Sequence, residues 1–351
     1  MSGNNDLKFM LRCVELALKA EGMTYPNPVV GSVIVHNGKI IGEGYHLKPG
    51  GPHAEVVAVE SVREKGLLAS SALYVNLEPC SHFGKTPPCT DLIISNKIPT
   101  VIVGTMDTSD KVSGKGISEL RKAGCTVITG IAEDECRSVN RRFFSFHEKK
   151  RPYITLKWAQ SADGFLDIKR EGNNKSGPGW ITGISERILV HKWRASEQSI
   201  LIGAETVRTD DPLLNVREWK GNSPVRLILS GSGSLPDEIA MNKLIGEQVI
   251  FSYYPENINM PGSALVKLNN HESSAVQILN YLFRCGIQSL FIEGGAGVLN
   301  HFISSGLWDE ARIFSGHQLF TDGVKAPVIK GKLLSKTEFS KSTLEILLNN
   351  F

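Results

Sequence analysis

The stretch from Pro52 to Cys89 constrains this chain most strongly, because it carries one histidine and two cysteines in a spaced pattern. It reads PHAEV at 52–56, EPC at 78–80 and TPPC at 86–89. His53, Cys80 and Cys89 offer one imidazole and two thiolates, a ligand set that zinc favours. Three protein ligands leave one of four tetrahedral positions open for a water, as in catalytic rather than structural zinc sites. The pattern therefore predicts a zinc centre that the surrounding fold has to assemble.

Glu55 stands two residues after the histidine, where a carboxylate could accept and return the proton of a zinc-activated water. The order H-x-E, then P-C, then a further cysteine is typical of zinc-dependent base deaminases. The alternative is a closed structural site in which His82 supplies the fourth ligand. Glu55 favours the catalytic interpretation, since a structural zinc has no use for a carboxylate beside its histidine.

The spacer between the two cysteines departs from the C-x-x-C spacing of most nucleoside and nucleic-acid deaminases. Here the residues SHFGKTPP separate Cys80 from Cys89. Gly84, Pro87 and Pro88 forbid a continuous helix across this spacer. We therefore expect a loop that delivers Cys89 to the start of a new helix, where the helix dipole favours a thiolate.

Composition bounds the class of protein. A chain of 351 residues with 41% hydrophobic residues suits two domains with sizeable cores. The formal net charge is +3 without a polybasic tract, which argues against a nucleic-acid partner. No apolar run or signal-peptide pattern indicates a membrane or secreted protein. Six cysteines do not form a disulfide framework in a chain of this length, so we expect a reduced, cytoplasmic setting.

Hydrophobic periodicity predicts two successive α/β regions. The first has a helix over 6–21, a hairpin turning at Asn37-Gly38, strands at 72–77, 100–104 and 125–130, and helices at about 53–66, 89–97 and 116–124. The second has strands at 153–161, 199–203, 225–230, 248–254, 289–295 and 309–316, and helices at about 184–196, 273–285 and 296–305. The polar segment 145–152 between them reads as a linker, so we expect domains at 1–147 and 148–351.

Two stretches of the second half suggest chemistry without settling it. Gly294-Gly295 ends a predicted strand and leads into a helix, so its bare amides suit a phosphate or pyrophosphate. Close packing of a strand against a helix explains the same pair equally well. The standard dinucleotide pattern G-x-G-x-x-G is absent. By composition, Asp210-Asp211 before Pro212 reads as a turn.

Several blocks of the chain closely resemble the bifunctional deaminase/reductase family of riboflavin biosynthesis. They include NPVVGSVIV (27–35), GEGYH (42–46), GGPHAEV (50–56), NLEPCSHFGKTPPCTD (76–91), TLKWAQSADG (155–164) and IEGGAGVLNHF (292–302). The resemblance runs from about Asp6 to about Gly316 and implies a cytidine-deaminase-like α/β/α sandwich followed by a dihydrofolate-reductase-like α/β domain. It implies zinc and NADPH as cofactors, a small pyrimidine ribose phosphate as substrate, and Glu55 as the catalytic proton carrier. A homo-oligomer is compatible with it.

The resemblance also assigns individual residues. The family's NADPH contacts match Ala159, Trp180, Thr206, Asp210, Gly231, Gly295, Ala296, Gly297, Val298, Leu299, Asn300 and His301. Its substrate contacts match Arg194, Leu214, Arg217 and Glu293 in the second domain. In the first domain we expect Asn27 and His46 to help hold the ring and His82 to contact the substrate. The family offers the substrate a serine just before Trp180, but this chain has Pro178 there. The segment after Gly316 departs from the family pattern and receives no role.

Two other interpretations remain. One is a deaminase of nucleosides or tRNA with an unrelated second domain, although the long cysteine spacer and the lack of a basic patch count against it. The other is a zinc-stabilised binding module whose second half senses a small molecule, which leaves Glu55 unexplained. A zinc titration combined with an ammonia-release assay separates these possibilities.

Overall fold

The computed structural model describes residues 3–83, 87–109, 114–169, 181–236, 238–243 and 246–349. The chain divides into two compact units, Met1–Lys150 and Arg151–Phe351. The polar composition of 145–152 placed the boundary after residue 147, but that segment is largely helical. Its Ser145 is buried, and the helix containing it continues to Lys149.

The first unit contains six helices within its described residues. They are α1 (Gly3–Leu18), α2 (Ala54–Ser61), α3 (Cys89–Ser95), α4 (Lys115–Lys122), α5 (Glu133–Val139) and α6 (Arg141–Lys149). Its strands are β1 (Gly31–His36), β2 (Lys39–Tyr45), β3 (Ala72–Leu77), β4 (Thr100–Thr105) and β5 (Thr126–Thr129). The sheet order is β2-β1-β3-β4-β5. β1 is antiparallel to β2 and β3, whereas β3, β4 and β5 run parallel.

Alternating side chains divide the core of this unit into two layers, because successive residues of a strand face opposite sides of the sheet. Leu73 and Val75 pack with Val59 of α2 on one face, where α3 and α4 also contribute buried residues. Tyr74 packs on the other face with Met10 of α1, together with a residue of α5. The result is the predicted α/β/α sandwich.

The second unit is built on a larger sheet. Its strands are β6 (Tyr153–Gln160), β7 (Phe165–Ile168), β8 (Ser199–Gly203), β9 (Val225–Ser230), β10 (Gln248–Ser252), β11 (Ala264–Lys267), β12 (Ser289–Gly294), β13 (Glu310–Gly316), β14 (Gly323–Lys325), β15 (Lys332–Glu338) and β16 (Ser342–Leu348). Its helices are α7 (Ile184–Ser196), α8 (Ala204–Asp210), α9 (Ser274–Arg284) and α10 (Ala296–Ser304). Nine strands form one sheet in the order β11-β10-β9-β8-β12-β6-β13-β16-β15, and β7 pairs with β14.

The strands from β11 to β13 run parallel, and β16 and β15 complete the sheet in antiparallel pairing. One face packs against α9 and α10, with Leu279 and Phe302 among the buried contacts. The opposite face includes Ile228 and Phe291 and packs against α7 and α8. In an open parallel sheet the ligand site lies at the carboxyl ends of the strands, so β6, β8, β9 and β12 determine where this unit can bind.

The segment after Gly316, which received no role from the sequence, contributes three strands. β14 pairs with β7, and β16 pairs with β13 along its whole length. Every residue of β15 is exposed, which explains why its sequence shows no core pattern. Within the described residues, no helix has the length and apolar character needed to cross a membrane.

Candidate zinc centre and reductase cleft

The three predicted zinc ligands come together at the ends of elements of the first unit. His53 immediately precedes α2, Cys80 follows β3, and Cys89 is the first residue of α3, as predicted. The Nδ1 atom of His53 lies 3.2 Å from Sγ of Cys89 and 3.5 Å from Sγ of Cys80. All three ligand atoms lie within 4.8 Å of one another.

This donor set fits a tetrahedral zinc ion. Zn–N bonds of about 2.0 Å and Zn–S bonds of about 2.3 Å require a nitrogen–sulfur separation of about 3.5 Å in a tetrahedron. The observed separations match that requirement without rearrangement. His82 is exposed and is not part of the group, so the described residues supply three ligands and do not support the closed site with His82.

The two cysteine ligands are also in direct contact with each other. The backbone N–H of Cys89 donates to Sγ of Cys80 over 3.4 Å. The pKa of Cys80 is lowered to about 4, first because it accepts a hydrogen bond from the Cys89 thiol and then because it interacts with His53. The pKa of Cys89 is raised, because its thiol donates the proton that the two sulfurs share. A lowered thiol pKa favours the thiolate form, which is the form that binds a soft metal.

Glu55 lies in the first turn of α2, beside the ligand cluster, and is only 3% exposed. Burial raises the pKa of its carboxyl group, and the negative charge on Cys80 adds to the effect. A carboxylate with a raised pKa exchanges protons closer to neutral pH than an exposed one. The position and the pKa of Glu55 therefore suit a proton carrier that is not itself among the three metal ligands.

Asn27 and His46 form a short relay of hydrogen bonds toward the histidine ligand. Nδ1 of His46 donates to the carbonyl of Pro52 over 3.0 Å, so its Nε2 carries no proton and accepts from Nδ2 of Asn27 over 3.1 Å. The rings of His46 and His53 meet edge to face with their centroids 5.5 Å apart. Burial lowers the pKa of His46, which keeps this tautomer neutral. Both predicted substrate contacts thus lie beside the zinc ligands.

Two buried asparagines, which the sequence analysis missed, hold the backbone at Val29 and Gly31, just after Asn27. Asn140 accepts from the N–H of Val29 over 2.8 Å and donates to its carbonyl over 2.9 Å. Asn76 accepts from the N–H of Gly31 over 2.8 Å. An amide within the otherwise apolar strand ALYVNL was the available signal, because a polar group buried in a strand needs a partner.

Glu78, just before Pro79 and Cys80, binds backbone groups that lie between the end of β4 and the first turn of α4. Its carboxylate accepts from the backbone N–H groups of Asp107 at 3.2 Å, Gly114 at 2.9 Å and Ile117 at 3.2 Å. The motif EPC therefore contains a structural carboxylate two residues before the ligand Cys80.

The second unit contains a cleft of about 1020 Å³ at the carboxyl ends of its central parallel strands. This volume is at the upper end of small-molecule sites. Its lining includes the predicted residues Ala159, Arg194, Thr206, Asp210, Leu214, Arg217, Gly231, Glu293, Gly295, Ala296, Gly297, Val298, Leu299 and His301. Asn300 is exposed on α10 and does not line the cleft, and Trp180 and Pro178 lie outside the described residues.

The end of the cleft nearest α10 fits a dinucleotide. α10 begins after Gly295, whose N–H donates to Oγ1 of Thr206 over 2.8 Å, and so fixes the helix N-terminus beside α8. A side chain at Gly297 or Gly231 would meet no neighbouring atom within 4 Å, so both positions leave open space in the cleft. Unpaired amides at a helix N-terminus attract phosphate groups. These residues suit the pyrophosphate of NADPH.

Another group of lining residues, the charged end of the cleft, includes Arg194, Arg217 and Glu293. Arg194 of α7 grips Glu293 of β12 with two hydrogen bonds of 2.7 Å each, and its Nη1 donates to the carbonyl of Asn215 over 3.2 Å. Burial opposes ionisation of Glu293, but Arg194 and Lys157 outweigh it and hold the pKa of Glu293 at about 2. Arg217 is exposed and donates to Oδ1 of Asn215 over 3.1 Å. No carboxylate among the described residues forms an ion pair with Arg217.

Lys157 is a further residue that the sequence analysis missed. It lines the cleft from β6, between the buried residues Leu156 and Trp158, and has no hydrogen-bond partner in the described part of the chain. Burial lowers the pKa of its ammonium group, although Glu293 partly opposes the shift. A lone lysine in an apolar central strand of a parallel sheet was the available signal, because such strands are normally hydrophobic throughout.

Comparisons with known proteins agree with both sites. Residues 3–105 match the cytidine and deoxycytidylate deaminase zinc-binding region, and residues 152–343 match the RibD C-terminal domain. The riboflavin biosynthesis protein RibD of Aquifex aeolicus is 39% identical over 325 residues, which cover 91% of this chain and 89% of that protein. RibD of Bacillus amyloliquefaciens is 35% identical, with coverage of 92% and 88%.

Solved structures show the same arrangement of elements. A diaminohydroxyphosphoribosylaminopyrimidine deaminase/5-amino-6-(5-phosphoribosylamino)uracil reductase from Thermotoga maritima superimposes with a TM-score of 0.90. It is 35% identical, and the match covers 99% of this chain and 100% of that one. RibD of Acinetobacter baumannii gives a TM-score of 0.87 at 31% identity, covering 99% of each chain.

The fold and the two sites define a bifunctional enzyme, with a zinc-dependent deaminase unit followed by an NADPH-dependent reductase unit. The predicted cytidine-deaminase-like α/β unit is confirmed, and it is followed by the predicted α/β reductase domain. The chain belongs to the RibD family of riboflavin biosynthesis proteins.

Proposed function

We propose that residues 1–150 hydrolytically deaminate 2,5-diamino-6-ribosylamino-4(3H)-pyrimidinone 5′-phosphate and that residues 151–351 then reduce its ribosyl group to ribityl. The first step exchanges a ring amino group for oxygen and releases ammonia, and the second transfers hydride to C1′ of the sugar. The observation that carries the proposal is the open set of three zinc ligands beside the buried Glu55. Incubation of the full chain with this pyrimidine, with and without NADPH, followed by mass spectrometry tests both steps.

Deamination depends on a proton carrier beside the metal. Zinc held by His53, Cys80 and Cys89 supplies Lewis-acid activation of a water. Glu55 accepts one proton of the water on its carboxylate and transfers it to the ring nitrogen. It then accepts the second proton from the new hydroxyl group and delivers it to the departing amine, which leaves as ammonia while the carbonyl forms. We infer that Asn27, whose amide is oriented by its hydrogen bond to His46, helps to hold the pyrimidine ring.

Reduction depends on orientation within the second cleft. The residues at the start of α10 would hold NADPH, which would supply the hydride, and the other cleft residues would orient the sugar toward it. Arg194 holds the Glu293 carboxylate in one orientation through two hydrogen bonds. Lys157 lies close enough to interact with that carboxylate. We infer that Lys157 and Glu293 contact the sugar hydroxyls as donor and acceptor, and that Arg217 binds the phosphate.

Replacement of Arg217 by alanine is expected to lower reductase kcat/KM on the phosphorylated intermediate by about 10- to 150-fold. A charge-assisted hydrogen bond contributes about 1.5–3 kcal/mol, which corresponds to that factor. Arg217 forms no ion pair within the described residues, so its charge is available to the substrate phosphate. The measurement is NADPH oxidation as a function of intermediate concentration.

Lys220→Ala is the matched control, since Lys220 is an exposed cation three positions further along the chain. It should leave the kinetics unchanged. Arg217→Ala should barely affect turnover of the dephosphorylated intermediate, the KM for NADPH, or ammonia release. An equal loss on both forms of the intermediate would mean that Arg217 supports the fold or the cofactor, and the phosphate assignment would be dropped.

Separate expression of the two units tests the assignment of one activity to each. Residues 1–150 are expected to release ammonia from the pyrimidine substrate without NADPH, and residues 151–351 to reduce the deaminated intermediate without zinc. Each unit has its own buried core, which is the physical basis for independent folding. Circular dichroism and the two activity assays provide the measurements. If reduction occurs only when residues 1–150 are present, the division of labour is wrong.

We also infer that the enzyme works in the cytoplasm, because two zinc-binding thiolates persist only in a reducing compartment. Its proposed partners are small molecules and, in a homo-oligomer, further copies of the same chain. Size-exclusion chromatography with light scattering tests the assembly. Addition of DNA or RNA should not shift the elution position.

A further inference from the structure

His191 is a buried cleft residue to which neither the sequence pattern nor the proposed chemistry assigns a role. It lies on α7, one turn before Arg194, and is 4% exposed. Its side chain lines the cleft near the charged end. Its Nδ1 atom accepts a hydrogen bond from the backbone N–H of Arg217 over 3.2 Å. The imidazole thus connects a rigid helix to the backbone of the residue proposed to bind phosphate.

The loop that carries Arg217 needs such restraints. Two of its residues have left-handed backbone conformations, with φ of 40° at Asp211 and 53° at Leu214. Non-glycine residues adopt this conformation only when their surroundings impose it. Arg194 donates to the carbonyl of Asn215, and the Oγ atom of Ser223 accepts from the N–H of Val216 over 3.0 Å. His191 is the contact that fixes the backbone at Arg217 itself.

The hydrogen bond from the Arg217 N–H also determines which nitrogen of the His191 ring carries the proton. Because Nδ1 accepts a proton from a backbone amide, it carries no hydrogen, and the ring proton of the neutral form is on Nε2. Burial, together with the charges of Arg194 and Arg217, lowers the pKa of His191 to about 4. The ring is therefore neutral at physiological pH. Nε2 has no hydrogen-bond partner in the described part of the chain and belongs to a side chain that lines the cleft.

We propose that His191 is a positioning residue for phosphate recognition, in which its Nδ1 atom holds the backbone of Arg217 so that the guanidinium faces the substrate. This inference rests on the proposed reductase function and assigns it one further residue. The His191 side chain acts through Arg217, so its contribution should depend on the arginine side chain and on the substrate phosphate.

Two isosteric substitutions separate the ring nitrogens in the full-length chain. His191→Asn places an amide oxygen near Nδ1 and keeps the acceptor for Arg217, whereas His191→Gln places its amide nitrogen near Nε2 and removes that acceptor. One hydrogen bond contributes about 2- to 12-fold in an equilibrium. We expect His191→Gln to raise the KM for the phosphorylated intermediate by about that factor. His191→Asn should stay within about 2-fold of the unsubstituted enzyme, and neither change should alter the KM for NADPH.

A double-substitution cycle distinguishes positioning from general structural support. In the Arg217→Ala background, His191→Gln should have no further effect, because the side chain it positions is gone. Persistence of the full effect in that background would overturn the proposal. So would loss in His191→Asn with retention in His191→Gln, because that result would mean direct contact between Nε2 and the substrate. Equal losses on phosphorylated and dephosphorylated intermediates would overturn it as well.

Calorimetric binding of ribose 5-phosphate keeps this inference separate from the proposed function. His191→Gln should weaken binding of this probe, and His191→Asn should not. If the unsubstituted enzyme binds the probe with this pattern but does not reduce the intermediate, the proposed reaction fails while the positioning role stands. If it reduces the intermediate and both variants bind the probe as the unsubstituted enzyme does, the positioning role fails alone.

Discussion

Replacing Glu55 by glutamine is expected to leave one zinc ion per chain and to lower ammonia release by about 100- to 10,000-fold, the usual contribution of a general acid–base group. Glutamine has nearly the same shape as glutamate but cannot accept and return a proton. Glu55 is not among the three ligands, so the metal site should survive the change. Zinc content by atomic absorption and ammonia release by a coupled assay measure the two effects.

Glu60→Gln is the matched control for this prediction. Glu60 lies on the same helix, α2, but is exposed, and Glu55 is almost completely buried. The control should retain both zinc and activity. If Glu55→Gln loses its zinc, the carboxylate supports the metal; if it keeps its activity, another group carries the proton. Either result contradicts the role assigned to Glu55.

The zinc centre could be predicted from the sequence because its parts are local. His53 and Glu55 are two positions apart at the start of one helix, and each cysteine lies at the end of a strand or the beginning of a helix. The chemistry of the donors restricts the metal, and the hydrophobic pattern places the elements. The long-range information that the site does need is the packing of α2 and α3 on one face of the sheet beside β3.

The charged end of the reductase cleft depends on contacts that no local pattern records. Lys157 lies near enough to interact electrostatically with Glu293 because β12 pairs with β6. The two residues are far apart in the chain. His191 meets Arg217 across a helix and a loop with left-handed residues. The family resemblance identified Arg194, Arg217 and Glu293. It did not identify Lys157 and His191, and these two residues were missed.

The predicted linker at 145–152 shows what composition alone cannot predict. Segment 145–152 is rich in charge, but Phe143 and Phe144 immediately before it are buried, and α6 continues through the charged residues to Lys149. One face of a short amphipathic helix is enough to bury such a segment. Composition therefore placed the boundary a few residues before the division at Lys150, but it did not show that α6 continues almost to that division.

Replacing Cys89 by serine is expected to remove both zinc and ammonia release, in contrast to the selective effect at Glu55. A serine hydroxyl remains protonated near neutral pH and is a harder ligand than a thiolate, so it does not complete a soft metal site. Two remaining ligands, His53 and Cys80, should not hold zinc through purification. NADPH oxidation with the deaminated intermediate should be unaffected, because the reductase cleft is built from other residues.

Cys125→Ser is the matched control, since Cys125 lies in the same unit and its Sγ donates to the carbonyl of Ile98, a bond that serine can also make. It should keep zinc and activity. Circular dichroism of Cys89→Ser then separates the two kinds of zinc site. The first unit has apolar layers on both faces of its sheet, so a catalytic zinc should be lost without unfolding. A structural zinc contributes folding free energy directly, and collapse of the first unit in Cys89→Ser would therefore contradict the open, catalytic site.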